Sequence, residues 1–183
     1  MVFRKLLASV AAVLGFVSVS CFAQPMFLPV ESTPYDRQMA RVQPVLASMP
    51  IQPADAVPLA AVNHWMSKLR GIRYRYSLLW ETPSEVRASR VADCKGKALT
   101  LYEIMQSMGA TNLRLVIGKY RARDFFTHTW LEWSTPQGNY ILDPTFYRAV
   151  TKEVPHSNSY LPLYAYDGEH KYRIFDVTFV TQN

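Results

Sequence analysis

Hydrophobic and polar positions divide this chain into stretches with different periodicities. Leu6 to Ser20 is an uninterrupted run without charge, preceded by Arg4 and Lys5 and followed by Cys21-Phe22-Ala23-Gln24. A positive start, a short apolar run and small residues at the two positions a signal peptidase reads predict a secretory signal peptide over residues 1–23. The run falls short of the roughly 20 apolar residues that a membrane-spanning helix needs, which counts against an uncleaved anchor. Acylation of Cys21 fits less well, because Ser18-Val19-Ser20 matches the usual leucine-led lipoprotein motif poorly. Residues 24–59 carry Pro25, Pro29, Pro34, Pro44, Pro50, Pro53 and Pro58. Such density predicts an extended Pro-rich segment with one helix around Tyr35 to Met49.

Beyond it the pattern becomes helical. Leu59, Val62, Met66 and Leu69 recur at helical spacing and Gly71 is a stop signal, so a helix is predicted over Ala60 to Arg70. Ile72 to Leu79 alternates loosely and suits an extended connector. Cys94, Ala98, Leu101, Met105 and Met108 then follow one another at spacings of four, three, four and three. Asp93 is a good N-cap and Gly109 ends the pattern. The prediction is an amphipathic helix of about four turns, with Cys94 in its first turn on the core-facing stripe.

The remainder reads as strands. Leu113, Leu115 and Ile117 alternate within Asn112 to Lys119, and Phe125 to Trp133 is rich in aromatic residues and threonine. Thr135-Pro136-Gln137-Gly138 is a turn from which Asn139 to Leu142 returns. Tyr160 to Tyr166 and Lys171 to Val180 are further candidate strands. Helices followed by a meander of strands predict an α+β domain over residues 60–183, with helix covering one face of an antiparallel sheet.

Composition changes the picture mainly through charge and cysteine. Removing 23 of the 183 residues leaves 160, enough for one ordinary domain with a sizeable core. Arg4 and Lys5 leave with the leader, lowering the net charge from +6 to +4. The remaining charges are interspersed with no basic run, which argues against a nucleic-acid partner. The leader implies a periplasmic or secreted protein with no stable membrane insertion after cleavage. Only Cys94 then remains. Cysteines in oxidising compartments are usually paired, so a lone thiol there is either a small buried hydrophobe or a functional group.

Position favours chemistry at Cys94. Unpaired N–H groups and the dipole at a helix start stabilise a thiolate, and the same N–H groups point where an oxyanion forms in acyl transfer. Lys95 and Lys97 add positive charge, while Asp93 opposes it unless its carboxylate is engaged in capping. Among the four histidines, His64 lies on the upstream helix, His156 and His170 in polar loop-like stretches, and His128 within a predicted strand. Phe126, Trp130 and Glu132 share its face by alternation, so His128 is a bonded core residue or a base. Asp143 ends the next strand before Pro144, as a turn residue or as the partner that fixes the His128 tautomer. If residues 136–138 close a hairpin, both approach one end of the sheet. Trp80 is the candidate second oxyanion donor, with Tyr76 and Trp65 also upstream, although each of these aromatics also suits core packing. No spaced Cys or His pattern indicates a metal, and no cofactor is expected.

Several short motifs together resemble one family. Ile72-Arg73-Tyr74, Pro83-Ser84-Glu85, Asp93-Cys94-Lys95-Gly96-Lys97-Ala98 and Met108-Gly109-Ala110 are its first landmarks. His128-Thr129-Trp130-Leu131-Glu132 and Leu142-Asp143-Pro144-Thr145 complete the set. Residues Ile72 to Val150 resemble the transglutaminase-like core of the papain-like cysteine enzymes, and in particular the bacterial transglutaminase-like cysteine proteinases of the periplasm. The resemblance implies a Cys94–His128–Asp143 triad, an acyl-thioester intermediate and a protein or peptide substrate. A transglutaminase or acyltransferase would use the same triad, and an inactive peptide-binding domain would keep the fold alone. Those proteinases often carry acidic residues after the cysteine, and some bind calcium. Here Lys95-Gly96-Lys97 follows instead, so calcium is not carried over.

Overall fold

The structure is a computed structural model that describes residues 25–48, 57–152 and 158–175. The predicted leader, His156 and residues 176–180 of the last predicted strand lie outside the described residues. In chain order the elements begin with β1 (Met26–Pro29), α1 (Asp36–Met39), α2 (Gln43–Leu46), α3 (Leu59–Gly71) and β2 (Arg73–Tyr74). Then come α4 (Pro83–Ser89), β3 (Val91–Ala92), α5 (Cys94–Ser107), β4 (Leu113–Arg121) and β5 (His128–Thr135). The described chain closes with β6 (Gly138–Leu142), β7 (Thr151–Lys152), β8 (Ser159–Asp167) and β9 (His170–Phe175).

Seven strands form one sheet in the order β1-β9-β8-β4-β5-β6-β7, with every neighbouring pair antiparallel. A separate parallel pair joins β2 to β3. The sheet is covered on one face by helix. Val62, Met66 and Leu69 of α3 and Ala98, Leu101 and Met105 of α5 pack with Leu115, Ile117, Leu131 and Leu142 of the sheet. On the opposite face Val116, Trp130, Ile141, Ala165 and Ile174 make a smaller buried cluster. Alternation along β4 explains the split, since Leu115 and Ile117 point to the helices while Val116 points away.

The α+β architecture matches the sequence pattern, and its differences are local. Two short helices, α1 and α2, replace the single helix expected over Tyr35 to Met49. Pro44 lies in the first turn of α2 and has no N–H to continue a helix through Ala40. Both pieces still bury core residues, namely Met39, Val42 and Leu46. The Pro-rich segment also contributes β1, which pairs with β9 at the sheet edge. The element α4 has no counterpart in the hydrophobic pattern. Its start is a capping box in which the Glu85 N–H donates to Thr82 Oγ1 at 3.4 Å and the Thr82 N–H donates to Glu85 Oε2 at 2.7 Å. Strand β5 begins only at His128, so Phe125 and Phe126 belong to an exposed loop and Phe126 does not share a strand face with His128.

Candidate active site

Cys94 is the first residue of α5, and Asp93 is its N-cap, with Asp93 Oδ1 accepting the Gly96 N–H at 3.2 Å. The cap leaves Cys94 on the first turn, where free backbone N–H groups gather. Cys94 is a buried free thiol that lines a cavity of about 420 Å³ together with Tyr74, Tyr76, Trp80, Lys95, Phe126 and Thr127. Gly96 keeps this turn close to its neighbours. A Cβ there would come 3.0 Å from Val86 Cγ2 of α4 and 3.2 Å from the Ala92 Cβ of β3.

The hairpin of β5 and β6 brings the other two residues together. Leu131 pairs with Leu142, and continuing that register sets Asp143 opposite Trp130 on the face that His128 also uses. His128 and Asp143 are then diagonal neighbours, a separation that their side chains can bridge. His128 Nε2 and Asp143 Oδ2 are 2.7 Å apart. Cys94, after Asp143, is the second neighbour that favours the charged His128 ring, and with Nε2 engaged by Asp143 the nitrogen left to face sulfur is Nδ1. Burial alone pulls the His128 pKa down. The Asp143 and Cys94 partners outweigh it and leave the pKa at about 9, above the ordinary 6.5.

Asp143 is fully buried and its oxygens are satisfied. Oδ1 accepts the Thr145 N–H at 2.9 Å, and Oδ2 accepts the Tyr160 hydroxyl at 2.8 Å besides its contact with His128. Burial first, and then the adjacent Asp143 carboxylate, holds the Tyr160 phenol far above its usual range. Tyr160 therefore stays a donor to Asp143. It occupies a left-handed conformation, φ 59°, which is uncommon for a bulky residue and concentrates at functional sites. Phe146 stacks on His128 with centroids 4.8 Å apart, and Trp130 is also near-parallel to it at 6.1 Å.

The cavity also receives Trp80, which is 1% exposed. Its indole Nε1 is buried without a hydrogen-bond partner among the described residues. Trp80 lines the same cavity as Cys94, and an orphaned donor can take up a new acceptor without first breaking a bond. Tyr76, the second upstream aromatic, lies on the cavity rim. Trp65 lies elsewhere, on a groove between α3, α4 and α5. His64 meets Trp65 edge-on, and His170 begins β9.

Sequence reasoning singled out Cys94, His128, Asp143 and Trp80, and the fold gathers all four. It missed Tyr160 and Phe146. Phe146 lies within three residues of Asp143, so proximity to the LDPT motif was an available signal. Tyr160 had none, because strand β8 reaches Asp143 only through the fold.

Solved structures of LapG from Legionella pneumophila are similar to this chain. The EGTA-treated form is 17% identical with a TM-score of 0.54, covering 68% of this chain and 75% of LapG. The calcium-bound form is 15% identical with a TM-score of 0.52, covering 78% and 81%. A third LapG structure is 17% identical with a TM-score of 0.52, covering 63% and 69%. This likeness shows a shared fold, the transglutaminase-like, papain-like α+β arrangement that the sequence motifs resemble. No family model and no curated protein matches the sequence.

Proposed function

We propose that this chain is a cysteine peptidase in which Cys94 is the nucleophile, His128 the base and acid, and Asp143 the group that orients His128. One observation carries the reading: a buried thiol on the first turn of a helix, opening on a cavity and neighbouring a histidine that is itself bonded to a buried carboxylate. In this mechanism the Cys94 sulfur attacks a substrate carbonyl carbon while its proton resides on His128. The tetrahedral oxyanion is met by backbone N–H groups at the start of α5 and by the unpartnered Trp80 indole. Imidazolium then protonates the leaving amine, which departs and leaves a thioester. A water, deprotonated by His128, attacks the thioester and releases the acid and the thiol. Asp143 holds the ring by Nε2 throughout and compensates its charge.

The substrate is a protein or peptide segment able to lie over an apolar rim. The leader-like residues 1–23 support a place in the periplasm or outside the cell, and no helix among the described residues is long and apolar enough to cross a membrane. The test compares wild type with Cys94→Ala and His128→Ala on labelled protein substrates. Cleavage by wild type and its loss in both variants is expected, and equal hydrolysis by all three would overturn the proposal. Incorporation of a fluorescent amine into a glutamine-bearing acceptor, without cleavage, would reassign the same thioester chemistry to transfer.

A further inference from the structure

LapG has been solved with calcium bound, so the fit of this chain to such an ion is a chemical question about its own residues. Calcium takes six to eight oxygen ligands, several of them carboxylate. Among the described residues no group of three His, Cys, Asp or Glu side chains is placed to hold a metal. Two carboxylates, Asp93 and Glu81, lie beside the first turn of α5, and each has a resident cation. Glu81 Oε1 is 3.8 Å from Arg75 Nη2. Asp93 Oδ1 caps α5, while Oδ2 accepts the Ser77 N–H at 3.2 Å and the Lys95 ammonium. Glu81 Oε2 is buried without a hydrogen-bond partner among the described residues, but one open oxygen falls far short of the six to eight that calcium takes, and both Asp93 oxygens are already met from within the chain.

The surroundings of Lys95 show what its ammonium joins. It donates to the Ser77 carbonyl at 2.9 Å and to Asp93, and it lies 5.2 Å from the centroid of the Tyr76 ring. A carboxylate, a carbonyl and an aromatic face are all cation-binding groups. Two of the three belong to the cavity rim, and the third caps the helix that begins with Cys94. A cation in the first turn of a helix is opposed by the helix dipole, so Lys95 is held there by these partners. Asp93 is fully buried, and without Lys95 its carboxylate would lie next to the nucleophile with little to compensate it.

We propose that the Lys95 ammonium is a tethered cation that fixes the Tyr76–Ser77 rim of the cavity to the start of α5 and makes a free divalent cation unnecessary. Lys95 is on this view a positioning residue, and the proposal rests on the assignment of Cys94 as nucleophile. Its effects are rim closure, read by exchange of the Ser77 amide, and compensation of Asp93, read by the pH profile of Cys94 alkylation.

The experiment compares wild type, Lys95→Met and Lys95→Arg by amide hydrogen exchange and by iodoacetamide labelling, with EGTA or with calcium at about 1 mM, the weak end of protein calcium sites. In wild type neither EGTA nor calcium changes the melting temperature or the labelling rate. In Lys95→Met the Ser77 amide exchanges about tenfold faster. Its labelling profile also moves to higher pH, with about a tenfold loss of rate on the acid limb. Lys95→Arg, which keeps the charge, recovers most of both. If Lys95→Met does not fold, Lys95→Gln removes the charge while leaving the Asp93 acceptor of the Ser77 N–H in place, and it carries the same exchange readout. Stabilisation of wild type by calcium, or Ser77 exchange at the wild-type rate without the ammonium, would overturn the proposal. A wild-type Cys94 that labels like free cysteine would end the proposed function, while the exchange data still judge Lys95.

Discussion

At His128 two opposing influences meet, burial against the charged ring and the Asp143 and Cys94 partners in favour of it, and the balance leaves the pKa at about 9. The shift is upward from 6.5, so charged His128 contributes stability in full below pH 6.5, and that contribution is lost as the pH rises through about 9. Replacing Asp143 by Asn removes the charge of the main partner. The His128 titration, followed by NMR, then moves down from about 9 toward 6.5, and the alkaline limb of activity moves with it. A limb that stays in place would separate Asp143 from His128. Trp80→Phe keeps most of the packing and removes one N–H. If the indole meets the oxyanion, kcat falls on the order of 10²-fold with KM little changed, which steady-state kinetics on a peptide substrate would measure. Placement at a helix start singled out Cys94 in the sequence, while His128 and Asp143 joined it through order and context and, for most of the step, through the family resemblance. Tyr160 was not legible there, since its bond to Asp143 depends on where β8 lies.

Between elements, the site depends on close approaches that a linear pattern hardly registers. Gly118 pairs with His128 on β5 and sits at an irregularity in the β4–β8 ladder. A Cβ there would fall 2.2 Å from the Leu161 carbonyl oxygen and 2.6 Å from Trp130 Cη2. Gly118→Ala is therefore expected to destabilise by about 1–3 kcal/mol and to disturb the His128–Asp143 alignment. Denaturant midpoints and labelling of Cys94 should both report it, and a variant of wild-type stability would contradict the close packing. Thr82→Ala removes one side of the capping box of α4 and should cost about 1 kcal/mol in the same denaturant measurement. The helices α3 and α5 were legible because 3.6-residue periodicity persists over three or more turns. The hairpin was legible from its Pro-Gln-Gly turn. Element α4 is only seven residues long, too short for periodicity to register, and its signal was the Thr-Pro-Ser-Glu cap alone. The start of β5 was set too early because Phe125 and Phe126 look like strand residues, yet they are spent on the exposed loop by the cavity.

Across the molecule, the Pro-rich segment and the sheet are bound together through more than the β1–β9 pairing. Thr33 Oγ1 and the Tyr166 hydroxyl are 2.6 Å apart, and the Lys171 ammonium donates to Asp36 Oδ2 at 2.9 Å. A chain beginning after Pro34 would lose β1 and expose the β9 edge, a template for pairing with other chains. It should melt at lower temperature and self-associate in size-exclusion chromatography, whereas an unchanged monomer would show that the segment adds little. This contribution was hidden in the sequence because proline density reads as linker, while the hydrogen bonds that anchor it come from residues more than 130 positions away. The overall α+β order was plain from helices preceding strands, and the gathering of Cys94, His128 and Asp143 into one place is the consequence that matters most. The most direct test of that gathering is the pH dependence of Cys94 alkylation in wild type and in His128→Ala. Wild type should label faster than a free thiol well below pH ~8.5, the ordinary cysteine pKa, with the advantage lost in His128→Ala. Labelling at the free-thiol rate in both proteins would contradict the account.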